Sequence, residues 1–121
     1  RVLYAGRVAH DELAPCVATF TVGVMPDSNE YGSPMKIFEY MAAGKPVIGP
    51  DYGPLLDVIE EGKQGFIFSR GQVESLAQCL RQVLCDEELA NSMGRNARDY
   101  VIKERNWINN ARLVMARLEH N

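Results

Sequence analysis

What the sequence lacks narrows its function before any motif is considered. No apolar run approaches the roughly 18–20 residues needed to cross a bilayer, and no stretch has the layout of a secretory signal peptide. Cysteine is sparse: Cys16, Cys79 and Cys85 are odd in number and lack Cys-x-x-Cys spacing, which points to reduced, structural thiols in a cytosolic compartment. Histidine is limited to His10 and His120 and no Asp-x-Asp pair occurs, so nothing suggests a metal site. The dense basic charge that nucleic acid or an anionic membrane attracts is missing too. The 13 Lys and Arg residues are scattered among 16 acidic ones for a net charge of −3, so any anion must be bound locally. Internal repeats, low-complexity tracts and linkers are absent.

What is present is an α/β pattern. At 121 residues, 46% apolar and 24% charged, the chain has the size and composition of one globular domain with a real core. Short apolar runs near 2–5 (VLYA), 21–25 (TVGVM), 46–49 (PVIG) and 65–68 (GFIF) are largely β-branched or aromatic and end at turn residues, so they read as buried strands. Helices are expected between them near 11–19, 34–43 and 54–61. The alternation implies a Rossmann-like parallel sheet of about four strands with flanking helices, because parallel neighbours need a long crossover.

The last third reads as helical. In the helix expected over 72–84, Val73, Leu76, Ala77, Leu80, Val83 and Leu84 fall on one stripe. Asp86 caps a helix over 86–102, with Glu87 and Glu88 favourably near its positive end. Asn106 caps a last helix over 106–119, whose Trp107, Ala111, Val114, Met115 and Leu118 make an apolar stripe. That stripe is expected to cover this same domain, the other option being a part of the protein outside this chain. Because the chain opens directly on the apolar RVLYAG, residues 1–121 read as a single domain truncated from a longer protein.

The candidate site lies in YGSPMKIFEYMAAGKPVIGP, residues 31–50. Ser33 and Pro34 read as the N-cap and first position of a helix that Gly44 and Pro46 stop. Lys36 would then be the third helical residue, where the positive helix end disfavours a cation by roughly 0.3–1 kcal/mol. In parallel α/β sheets ligands bind beyond the carboxyl ends of the strands. The backbone N–H groups at 33 to 36, with Gly32 allowing close approach, would form an anion site there. An anion between helix end and ammonium turns the repulsion into charge-assisted hydrogen bonds of about 1.5–3 kcal/mol each. Glu39, one turn on and on the same face, is placed for a neutral hydroxyl pair such as ribose. The plainer option is that Lys36 and Glu39 pair with each other on a solvated face. Among the remaining polar residues, His10 suits capping or surface placement, Lys45 suits a helix C-terminus, and Asp51 with Tyr52 and Gly53 suits either a turn or a ligand. Phe66 and Phe68 suit the core.

GSPMKIFEYMAAGKPVIG followed by DVIEEGKQGFIF resembles the donor-binding signature of retaining glycosyltransferases of family 4 (group 1), which have the two-domain GT-B fold. The preceding VLYAGRVAHDELAPCVATFTVGVMP resembles the strand, helix and strand before that signature. The resemblance implies the C-terminal donor-binding domain of such an enzyme, using a nucleotide-diphosphate sugar without metal or other cofactor. It further implies that Glu39 holds the ribose hydroxyls and that Ser33-Pro34-Met35-Lys36 replaces a glycine-rich turn, with Lys36 neutralising the diphosphate. The family's first acid, which contacts the donor sugar, would fall on Tyr31; Glu30, one residue away, is the candidate to replace it as the catalytic acid. Arg7 and Asp51 are further candidates for donor contact. The acceptor, a glycan, lipid or small molecule, would be read by an N-terminal domain, so this chain alone would be inactive. The expected setting is cytoplasmic, with peripheral attachment to the membrane face as an option for the whole protein. The competing readings are a non-catalytic nucleotide- or phosphate-binding α/β module and a GT-B-like nucleotide-sugar epimerase.

Overall fold

The computed structural model describes residues 1–29 and 33–119. Among these, three strands form one parallel sheet in the order β1 (Gly23–Val24), β2 (Val47–Pro50), β3 (Gly65–Phe68). Strand β2 is buried at all four positions, as expected of a central strand covered on both faces. Its neighbours pair in register, Gly23 with Val47 on one side and Val47 with Gly65 on the other. The close pairing depends on Gly65, where an added Cβ would lie 1.7 Å from the Val47 carbonyl oxygen.

The period of two along β2 separates two apolar layers. Val47 packs with Ile37, Met41, Leu55, Val58, Ile59 and Ala97, while Ile48 packs with Phe68, Cys79, Val83 and Ala90. Ile37, Met41 and Leu55 are fully buried, each contributing about 1.5–3 kcal/mol of transfer free energy. Burial pushes the Cys79 thiol above its ordinary pKa, with the nearby Glu61 carboxylate acting in the same direction.

The crossover helices are α2 (Met35–Ala42) and the single turn α3 (Gly53–Leu56). Helix α2 ends at Gly44, whose φ of 73° only glycine adopts easily. The Gly44 N–H bonds the Met41 carbonyl at 2.9 Å and the Lys45 N–H that of Tyr40 at 3.0 Å, a Schellman closure. Before β1, a short 3₁₀ turn (His10–Glu12) leads into α1 (Leu13–Ala18). After β3 come α4 (Val73–Leu84), α5 (Glu87–Glu104) and α6 (Trp107–Glu119). Asp86 caps α5, accepting from the Leu89 N–H at 2.9 Å, and Asn106 caps α6 through the Asn109 N–H at 2.8 Å.

Several expectations need correction. Residues 2–5 form no strand, and Val2, Leu3 and Tyr4 are exposed: no described segment lies beside β1 to complete a fourth strand. The helix expected over 54–61 stops at Leu56. There the Glu60 N–H is taken by the Gln64 side chain at 2.8 Å, a bond that draws the chain into a turn ahead of β3. Val73 and Leu84 sit at the exposed ends of the α4 stripe, leaving Val83 as its one buried member, beside the buried Cys79. Helix α6 buries no residue, so its apolar stripe does not cover this domain; Trp107 is 88% exposed.

Candidate functional site

The N-terminus of α2 stands at the carboxyl ends of the parallel strands. The helix begins one residue later than expected. Pro34, at φ −78° and ψ 44°, stays outside it as the N-cap, and Ser33 is exposed and gives no side-chain cap. The first bond of the helix runs from the Phe38 N–H to the Pro34 carbonyl at 3.2 Å. Among the described residues, nothing accepts from the N–H groups of Met35, Lys36 and Ile37. Lys36 is therefore the second helical residue, closer to the positive end than the sequence suggested.

The first turn of α2 contains no acidic residue. Lys36 is exposed and, among the described residues, makes no ion pair with Glu39 or any other carboxylate. Their mutual pairing on a solvated face is thus not what the structure adopts. Among the described residues, three N–H groups at the positive helix end lack an acceptor and the first turn carries Lys36 and no acid, the electrostatic pattern of an oxyanion or phosphate site.

Glu39 lies one turn further on and lines a groove of about 600 Å³ between α1 and α2, together with His10, Leu13, Val17, Ala42 and Arg98. Lys36 is not among the groove's lining residues. The neighbouring Tyr40 hydroxyl has its pKa raised, first by burial and then by the Glu39 carboxylate. His10, expected to serve only capping or surface, shares the groove with Glu39; the 28 residues between them give no signal of this in the sequence.

The loops leaving the three strands are tied together. Asp51, after β2, accepts the Arg70 backbone N–H at 2.7 Å, and Arg70, after β3, donates from its guanidinium to the Ser28 carbonyl at 2.9 Å. The Arg70 Nε lies 3.6 Å from the Asp27 carboxylate. The Tyr52 hydroxyl is 2.6 Å from that of Ser28. The Asp51 carboxylate thus links the loop after β2 to that after β3; Arg70 and Ser28 were not singled out by the sequence. Arg7 is exposed in the segment before the 3₁₀ turn, away from any secondary structure. Met35 is exposed at the helix start. Glu30, Tyr31 and Gly32 lie outside the described residues. Among the described residues, no cluster of three or more His, Cys, Asp or Glu could hold a metal ion, and no helix is long and apolar enough to cross a membrane.

A parallel three-stranded sheet flanked by helices is a close match to glycosyltransferase domains of the GT-B fold. The chain belongs to the group 1 glycosyl transferases, whose family model matches residues 1–100. It is 35% identical over 100 residues to a sulfoquinovosyl transferase of Arabidopsis thaliana, covering 80% of this chain and 19% of that protein. A GDP-mannose-dependent α-(1-6)-phosphatidylinositol monomannoside mannosyltransferase of Mycobacterium tuberculosis is 29% identical over 112 residues, covering 88% of this chain and 29% of that one. Among solved structures, sucrose-phosphate synthase from Thermosynechococcus elongatus superposes with a TM-score of 0.84 at 29% identity, over 99% of this chain and 30% of that one. The chain thus spans between about a fifth and three tenths of the length of these relatives.

Proposed function

We propose that this chain is the donor-binding part of a retaining glycosyltransferase that moves a sugar from a nucleotide-diphosphate sugar to a glycan, lipid or small acceptor. The observation that carries the reading is the α2 N-terminus, where, among the described residues, three N–H groups lack an acceptor and Lys36 stands in a first turn without a carboxylate. Glycosyl transfer breaks the bond from the anomeric carbon to the diphosphate oxygen, and the leaving group departs with the electron pair. Negative charge therefore grows on the diphosphate, and preorganised N–H groups with one cation stabilise it as it develops. In this reading Lys36 and the Met35–Ile37 amides hold the diphosphate, with Ser33 and Gly32 beside it. Glu39 takes the ribose hydroxyls and Glu30 contacts the donor sugar. No cofactor is assigned a step.

The GDP-mannose dependence named for the mycobacterial relative supports a nucleotide sugar as donor. The relatives are several times longer than this chain, which supports assigning the acceptor to sequence beyond it and expecting no transfer from the chain alone. The reduced-thiol pattern supports a cytoplasmic setting.

Calorimetry on this chain with a nucleoside diphosphate and, separately, inorganic pyrophosphate tests the assignment. Lys36→Met is expected to weaken both about tenfold, the size of one charge-assisted hydrogen bond. Glu39→Gln is expected to weaken only the ribose-bearing ligand. Equal effects of Glu39→Gln on both ligands, or none of Lys36→Met on either, would remove the assigned roles.

A further inference from the structure

We infer that Arg70 and Tyr52 are positioning residues of the donor site, fixing the segment just after β1, at Asp27 and Ser28, from the ends of the other two strands. The inference rests on the donor-binding reading above and adds to it the device that holds the site in place.

The loop after β1 needs an external anchor. Strand β1 has only two residues, and Pro26, Asp27 and Asn29 are exposed, so neither sheet pairing nor burial holds this stretch. What holds it comes from a distance in sequence. The Arg70 guanidinium donates to the Ser28 carbonyl at 2.9 Å and approaches the Asp27 carboxylate at 3.6 Å, spanning 42 residues to Ser28. Its own backbone is fixed by Asp51, whose carboxylate accepts the Arg70 N–H at 2.7 Å. Tyr52 reaches Ser28 from the other strand end, hydroxyl to hydroxyl at 2.6 Å, with its ring buried in the core beside Leu55.

Each contact is modest alone. The Arg70–Asp27 pair is 47% and 78% exposed, a setting in which an ion pair adds little stability. Their value is geometric: one segment is held by groups from β2 and β3 at once, so its position follows the rigid sheet. Four residues after Asn29 the chain reaches Ser33 and the entry to α2, where the unpartnered amides and Lys36 stand. Misplacing a catalytic or binding group by about 1 Å is costly to binding and rate.

The test uses this chain and whichever of UDP, GDP or ADP the wild type binds best. Arg70→Met removes the donors but keeps the aliphatic stem, and Tyr52→Phe removes one hydroxyl while keeping the buried ring. Each is expected to raise the nucleotide Kd about fivefold, the scale of one partly exposed hydrogen bond, with the thermal midpoint held. Arg70→Lys, retaining one donor, is expected to recover part of the loss, and Arg81→Met, which removes a remote exposed ion pair with Glu74, to leave Kd at the wild-type value. Unchanged Kd in both Arg70→Met and Tyr52→Phe while the wild type binds would overturn the positioning role and leave the donor site standing. A wild type that binds none of the three nucleotides would overturn the donor reading and this inference with it. If Arg70→Met unfolds, Tyr52→Phe alone decides.

Discussion

Gly94→Ala is a substitution whose sign separates tertiary packing from helix propensity. Gly94 sits in the middle of α5, where an exposed Gly→Ala change would stabilise the helix by about 0.8–1.0 kcal/mol. The structure argues the reverse. A Cβ at Gly94 would lie 2.1 Å from the Gly44 carbonyl oxygen and 3.0 Å from its carbonyl carbon, with the Pro46 ring 3.6 Å away. The two close contacts are backbone, at the turn that closes α2, so no side-chain rotation relieves them. The helices must separate, which loosens the packing around Met93 and Ala97 on the same face of α5. Overpacking of this kind costs typically about 1–3 kcal/mol, and with backbone as the obstacle we place it at the upper end. Net of the propensity gain, about 2 kcal/mol of destabilisation is expected, measured as a lower urea midpoint at unchanged m-value. Gly53→Ala is the internal control: nothing lies within 4 Å of its Cβ, so it should be neutral or slightly stabilising. A Gly94→Ala variant as stable as wild type, or more so, would refute the reasoning.

Two further outcomes follow from burial. The Tyr40 phenol is held neutral above its ordinary value of 10.0 by burial and by Glu39, whereas the unfolded chain ionises near 10.0. Its contribution to stability is therefore full below that pH and is lost as pH rises through the folded value, so the unfolding midpoint should fall in strong base less steeply for Tyr40→Phe than for wild type. Deleting residues 106–121 removes α6, which buries nothing here, and should leave the urea midpoint of the remaining chain unchanged; the single tryptophan, Trp107, should fluoresce as a solvated indole in the intact chain.

How much of this could be read from the sequence depends on how local each determinant is. The stop of α2 at Gly44, the central strand, and the Asp86 and Asn106 caps follow from residues within a few positions of one another, and these elements form where expected. The start of α2 shifted by one residue because Ser-Pro fits two cap alignments, and only the Pro34 ψ of 44° decides between them. Residues 2–5 and the α6 stripe failed for a different reason: an apolar pattern states that a surface wants cover, not which surface supplies it. The network joining Ser28, Asp51, Tyr52 and Arg70 was unreadable, since its contacts span 19 to 42 residues. The electropositive helix end was readable in part, because Lys36 in a first turn without acids is a local anomaly, and the geometry made it sharper by placing Lys36 second rather than third.

The central claim is that the start of α2 binds the diphosphate of a nucleotide. Amide-resolved NMR titration of this chain with UDP, GDP and ADP tests it most directly. At least one nucleotide should shift the Met35, Lys36 and Ile37 amides together with Glu39, with Lys36→Ala weakening the response. If none of the three perturbs these amides at millimolar concentration, or if the shifts cluster elsewhere, the account is contradicted.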